Sequence, residues 1–87
     1  MGSSRKGRSV RTHIEIPADL GRVVRMTRRR LGLRQEDLAL SAGTGMRFVG
    51  ELERGKSTVQ LAPTLRVLHA LGVSLVLEDG EDDAADA

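Results

Sequence analysis

Four glycines divide the chain into helix-sized segments, and this spacing constrains the fold more than any other feature of the sequence. Gly32, Gly43, Gly55 and Gly72 each follow an apolar-periodic stretch of helical length. A glycine just past a helix tolerates the left-handed backbone that closes the last turn, so each of the four marks a helix end. The sequence therefore predicts a compact all-α fold built from four helices.

The first helix is predicted to begin at Ala18 and to end before Gly32. Asp19 lies in its first turn and three arginines lie in its last turn, which is the charge order that the helix dipole favours. The residues 12–16 before it alternate like a short strand that Pro17 ends, but five residues leave open whether a strand forms. The predicted inner face of the helix is Leu20, Val23, Val24, Thr27 and Leu31.

Two short helices are predicted between Gly32 and Gly55, over residues 35–42 and 46–54. Two such helices joined by a glycine turn form a helix-turn-helix, whose second helix enters the major groove of DNA. This spacing therefore indicates DNA binding. The predicted inner residues are Leu38, Ala39 and Ala42 in the first helix and Val49 and Leu52 in the second, with Phe48 beside them as a core residue.

A fourth helix is predicted over residues 61–71, and the hydrophobic period then changes from helical to alternating. Its apolar stripe is predicted to be Leu61, Leu65, Leu68 and Leu71. Beyond Gly72, a strand is predicted over 73–78, with Val73, Leu75 and Leu77 on one side. A lone strand is unstable in water, so it needs a partner, which is either the same strand of a second subunit or the segment 12–16. We expect a homodimer.

The charges are distributed unevenly along the chain. Residues 1–12 carry +4, residues 13–77 carry ten Lys and Arg against six Asp and Glu, and the last ten residues carry −6. A basic body with an acidic tail is typical of nucleic-acid binders. We divide the chain into a basic arm (1–17), a helix-turn-helix domain (18–72), a dimerisation strand (73–78) and a disordered acidic tail (79–87).

Several classes of protein are disfavoured by what the sequence lacks. It contains no cysteine, and neither His13 nor His69 has clustered carboxylates beside it, so we expect no metal site and no cofactor. We find no nucleophile–base pair and no glycine-rich phosphate loop, which argues against an enzyme. No apolar run approaches the length of about 18 residues that a membrane span needs. We therefore expect a cytoplasmic, nucleoid-associated protein.

The residues from Leu31 to Lys56 resemble the Xre/Cro-type helix-turn-helix family, whose pattern is L-G-L-[ST]-Q-x-x-L-A…A-G…[IL]-E-x-G-K. The matching segments are 31–39, 42–43 and 52–56. Further matches over 19–21, 47–49, 56–58 and 65–73, followed by an apolar strand, look like the HipB-like antitoxin branch. This resemblance implies a dimeric repressor of its own operon that restrains a HipA-like Ser/Thr kinase toxin. It also implies strand pairing across the dimer and a structural salt bridge between Arg28 and Glu53.

Two positions depart from the family pattern, both at helix starts. Arg34 stands where Ser or Thr usually caps the second helix, and losing that cap costs about 1 kcal/mol. Glu36 and Asp37 in the first turn offset part of this cost through the helix dipole. Gly45 stands where Ser is common before the third helix, and Gly is nearly as good a cap.

The predicted DNA contacts fall into two groups. Arg47 is the candidate for a bidentate contact to guanine, Met46 for packing on a thymine methyl, and Glu51 for accepting from cytosine. Gly50 is expected to let the helix approach the base edges closely. The predicted base-reading residues are Met46, Arg47, Gly50 and Glu51, and the predicted phosphate contacts are Arg34, Gln35, Gly45, Arg54 and Lys56.

The predicted partner is a pseudo-palindromic DNA operator, read by two third helices about 34 Å apart. Two alternatives stay open from the residues alone. One is a stand-alone or phage-type repressor without a toxin. The other is a protein-interaction adaptor whose helix-turn-helix no longer binds DNA, and the basic residues around the motif argue against it.

Overall fold

A computed structural model describes residues 10–80 of the chain and contains four helices. Residues 1–9 of the predicted arm and 81–87 of the predicted tail lie outside the described residues. The four predicted helices are confirmed in number and order. The ends of the second, third and fourth helices differ from their predicted ends by one residue at most. The four helices are α1 (Pro17–Arg30), α2 (Gln35–Ala42), α3 (Met46–Glu53) and α4 (Leu61–Leu71).

The four glycines close the four helices in the same way. Each has a left-handed backbone, with φ between 73° and 83°, and no other residue from 10 to 80 has a positive φ. In each case the residue after the glycine donates its N–H to a carbonyl five residues earlier, which is the Schellman closure. The four bonds are Leu33 to Arg28 (3.1 Å), Thr44 to Ala39 (2.9 Å), Lys56 to Glu51 (3.1 Å) and Val73 to Leu68 (2.9 Å).

The core lies where α2 packs against α3 and α4 and where α1 packs against α3 and α4. The inner faces predicted for α2 and α3 are confirmed, and Phe48 packs at the edge of the core. The predicted stripe of α4 is wrong in its first half, because Leu61 and Leu65 are 66% and 41% exposed. The buried face of α4 is Thr64, Val67, Leu68 and Leu71.

The inner face of α1 also differs from the prediction. Pro17 is the first helical residue rather than the residue before the helix, a position that suits proline because its missing N–H is not needed there. Leu31 lies past the end of α1 and is half exposed. The buried residues of α1 are Gly21, Val24 and Thr27. Gly21 is buried because the backbone of α1 meets the backbone at the end of α3.

The segments at the two ends of the described chain lie beside each other. Residues 10–14 and 73–78 line a cleft of about 590 Å³, together with Leu20, Val23 and Leu68. Arg11 pairs with Glu78 across it at 3.4 Å. Within residues 10–80 of this single chain neither segment is paired as a β-strand, so the pairing of strand 73–78 across a dimer remains a prediction.

No helix within residues 10–80 is long and apolar enough to cross a membrane.

Candidate DNA-binding surface

The start of α2 is held without the side-chain cap that is usual there. Arg34 occupies the cap position, and its side chain makes no capping bond. Instead Asp37 reaches back, and its Oδ2 accepts the backbone N–H of Arg34 at 2.9 Å. This bond is half of a capping box, and together with the dipole it accounts for the tolerance of Arg34. The other first-turn N–H groups have no partner inside the helix, which suits an anion.

The exposed side of α3 starts with two large side chains. Met46 is 54% exposed, and the side chain of Arg47 is 90% exposed. Gly45 caps the helix with φ −86° and ψ 157°, a conformation open to any residue. The two side chains that were predicted to read bases at the start of this helix are therefore presented to solvent.

Glu51 lies between two of the predicted DNA-contacting cations. Its Oε2 is 3.4 Å from Arg47 Nε, and its Oε1 is 3.3 Å from Lys56 Nζ. The hydrogen bond from Lys56 is the main reason that the pKa of Glu51 lies below its usual range, and the charges of Lys56 and Arg47 lower it further. Lys56 is brought back toward Glu51 by the glycine turn, in which its N–H is bonded to the Glu51 carbonyl.

Arg28 and Glu53 form the internal salt bridge that the resemblance implies. Arg28 Nε donates to Glu53 Oε2 at 2.6 Å and Arg28 Nη2 donates to Oε1 at 3.0 Å, and the two side chains are only 12% and 4% exposed. Arg28 Nη1 also donates to the Leu33 carbonyl at 2.9 Å. The pair therefore joins α1, the turn that follows it and α3.

The pKa of Glu53 reflects two opposing effects. Burial acts to raise it, but the hydrogen bonds from Arg28 and Gln35 and the positive charges of Arg28 and Arg25 outweigh burial, so the pKa lies below its usual value. The same hydrogen-bonded contact shifts the pKa of Arg28 in the opposite direction, above its usual value. Both groups are therefore ionised near neutral pH.

Two predicted DNA contacts are placed differently from the expectation. Gln35 turns inward, and its Nε2 donates to Glu53 Oε1 at 3.1 Å, which uses one of its two donor hydrogens. Gly50 is buried rather than part of the exposed face. A Cβ at Gly50 would lie 3.3 Å from Arg54 Nη1 and 3.8 Å from Gln35 Oε1. Gly50 therefore lies beneath Gln35 and Arg54 rather than on the exposed face of α3, and its predicted role at the bases stays a prediction.

The other cations that were predicted to contact DNA are Arg34, Arg47, Arg54 and Lys56, which together we call the basic face. All four are exposed, and each lies on or beside the helix-turn-helix. Sequence reasoning missed the bond from Gln35 to Glu53, which fixes the start of α2 against the end of α3. No group of acidic or histidine side chains from residue 10 to 80 could hold a metal ion.

Comparison with known sequences assigns most of the chain to one family. A family model described as "Helix-turn-helix domain" matches residues 19–79. An uncharacterized HTH-type transcriptional regulator, y4mF, from Sinorhizobium fredii is 48% identical over 69 residues, which cover 78% of this chain and 91% of that one. The match to the family model includes nearly all of α1 and the whole of the other three helices.

Comparison with solved structures identifies the same fold in HipB. A HipB–O4 20-mer complex has a TM-score of 0.74 and 22% identity, covering 82% of this chain and all of that one. A HipA–HipB–O2–O3 complex gives the same TM-score, identity and coverage. The predicted Xre/Cro-type fold is therefore confirmed, with the HipB type of helix arrangement.

Proposed function

Because this chain belongs to the helix-turn-helix family, we propose that it is a sequence-specific DNA-binding transcriptional repressor. The observation that carries the proposal is the basic face, in which four exposed cations lie on or beside the helix-turn-helix while Val49 and Leu52 of α3 are buried. A helix anchored in this way can lie in a major groove with its outer side chains against base edges. The name of the y4mF relative, a transcriptional regulator, supports this role.

Each part of the basic face has a role in the proposed complex. Arg34 and the first-turn N–H groups of α2 bind a phosphate on one side of the groove, and Lys56 and Arg54 bind phosphates on the other side. Arg47 donates to guanine, and Met46 packs against a thymine methyl. In this arrangement Gln35 acts mainly by fixing α2 against α3, because its amide is bonded to Glu53.

The repressor is proposed to act as a two-fold homodimer. The support for it is the apolar surface around the cleft between segments 10–14 and 73–78, where Leu75, Val76 and Leu77 are 49%, 72% and 92% exposed. A second copy of strand 73–78 would cover this surface and pair its backbone. Two-fold symmetry would place two α3 helices about one turn of DNA apart.

Selection of binding sites tests the proposal. The purified protein is mixed with a pool of duplexes that contain a randomised region of about 30 base pairs, and bound duplexes are amplified over several rounds. We expect an inverted repeat whose half-sites are centred about 10 base pairs, or one helical turn, apart. A final pool as random as the first, despite binding at low salt, would contradict sequence-specific recognition.

We further propose that this repressor is the antitoxin of a type II toxin–antitoxin pair and restrains a HipA-like kinase. The support is that HipB, whose fold it shares, assembles with HipA and operator DNA in a solved complex. Expression of the chain together with its neighbouring genes, followed by affinity purification, is expected to yield a stable complex with a kinase-sized protein. Purification of the repressor alone would favour the stand-alone alternative.

A further inference from the structure

Glu51 is the one acidic side chain that contacts two members of the basic face among residues 10–80. Its carboxylate pairs with Arg47 through one oxygen and with Lys56 through the other. The side chain of Glu51 is only 21% exposed, while that of Arg47 is 90% exposed. The three side chains together carry a charge of +1 rather than the +2 of the cations alone.

This arrangement lowers the affinity for any DNA that the protein contacts only through phosphates. A phosphate oxygen has to compete with the carboxylate for Arg47 Nε and Lys56 Nζ, the two nitrogens that lie beside Glu51. The phosphate is also repelled by Glu51 itself, because like charges disfavour close approach. Non-specific binding depends almost entirely on such phosphate contacts, so Glu51 weakens it.

A G·C base pair can compensate for this loss of affinity. Guanine offers O6 and N7 to Arg47, and the cytosine amino group can donate to the carboxylate that Arg47 then leaves. Both charged groups then keep a hydrogen-bonding partner in the complex. At an A·T pair, the adenine amino group can also donate, but guanidinium finds no matching pair of acceptors.

We propose that Glu51 is a specificity-determining residue, which weakens binding to non-cognate DNA by holding Arg47 and Lys56 and is released where the half-site presents a G·C pair to α3. This inference rests on the proposed DNA binding. It assigns to Glu51 a second role beside the predicted cytosine contact, namely competition with phosphate for the cations.

The Glu51→Gln variant tests the inference, because it keeps the size of the side chain and removes the charge. Binding is measured by fluorescence anisotropy with two probes: a duplex of mixed sequence, and a duplex of the same length that the wild-type protein selects from a randomised pool. Glu15→Gln is the matched control, because it removes one exposed negative charge outside the helix-turn-helix. Thermal unfolding of each variant confirms that it is folded.

The expected result is that Glu51→Gln binds the mixed duplex about threefold to tenfold more tightly than Glu15→Gln does, since a competitor of the phosphates is removed. Its preference for the selected duplex over the mixed one is expected to fall at least about tenfold, as for removal of one good base-reading side chain. If Glu51→Gln and Glu15→Gln changed the affinity for the mixed duplex equally, the role of Glu51 would be overturned while DNA binding would stand. The same would follow if Glu51→Gln lost affinity equally for both duplexes. If the wild-type protein enriches no duplex at all, the proposed function fails instead.

Discussion

Replacement of Gly21 by alanine is expected to destabilise the protein by about 2–3 kcal/mol, even though alanine is the better helix former. A Cβ at this position would collide with the carbonyl oxygen of Leu52 and would lie 2.6 Å from that of Glu53. Both atoms belong to the backbone of α3, so neither can move aside as a side chain would. For a domain of this size, the melting temperature is expected to fall by about 10–20 °C.

Gly50→Ala provides the matched control for this prediction. Gly50 is also buried and lies inside a helix, but the nearest atom to its added Cβ is Arg54 Nη1, at the flexible end of a side chain. This variant is expected to be as stable as the wild type or more stable by up to about 1 kcal/mol, from helix propensity. Equal stability of Gly21→Ala and Gly50→Ala in urea denaturation would show that α1 does not approach α3 as closely as described.

Removal of either partner of the Arg28–Glu53 pair is expected to cost about 3–5 kcal/mol, because the charge that stays behind is buried without its partner. Arg28→Ala leaves a carboxylate that is 4% exposed, and Glu53→Ala leaves a guanidinium that is 12% exposed. The double variant is expected to lose clearly less than the sum of the two single losses. Urea denaturation of all four proteins measures this coupling, and additive losses would contradict it.

The same pair makes stability depend on pH in a definite direction. The pKa of Glu53 in the folded protein lies below its usual 4.5, so the carboxylate contributes stability above that value and loses its contribution as the pH falls through the folded pKa. The urea midpoint of the wild type is expected to fall from about pH 5 downward. That of Glu53→Gln is expected to be lower at pH 7 and to fall less steeply in acid. If the urea midpoints of the two proteins fell in parallel as the pH was lowered, the assignment of this pH dependence to Glu53 would be contradicted.

The fold could be predicted largely because backbone closure and core periodicity point to the same four helices. Glycines at φ near +75° are required by the Schellman closures, and a sequence displays them directly. The face of α4 could not be predicted in full, because Leu61 and Leu65 continue its leucine spacing and yet lie exposed. Thr64 replaces them in the buried face, since its hydroxyl donates to the Gln60 carbonyl at 2.6 Å and is thereby satisfied.

The candidate site could be predicted less completely than the fold. The types and positions of the cations were evident from the sequence, and the resemblance implied the Arg28–Glu53 pair. The contact of Lys56 with Glu51 depends on a glycine turn that reverses the chain after α3, and its side-chain geometry is not encoded in a periodic pattern. The burial of Gly50 was not predicted because it depends on the positions of two side chains, those of Arg54 and of Gln35, and Gln35 comes from a different helix.

The most direct test of DNA recognition by α3 is the salt dependence of binding by a variant that carries both Arg47→Ala and Lys56→Ala. Binding of the selected duplex is measured at several salt concentrations, beside a control with Arg22→Ala and Arg66→Ala, which removes two exposed arginines from α1 and α4. We expect the first variant to bind at least about tenfold more weakly, because Arg47 no longer donates to guanine. Its slope of log affinity against log salt should also be smaller by about 0.9 for each phosphate that it no longer neutralises, while the control keeps nearly the wild-type slope. Unchanged affinity and slope in the first variant would contradict the central claim that the exposed side of α3 lies against DNA.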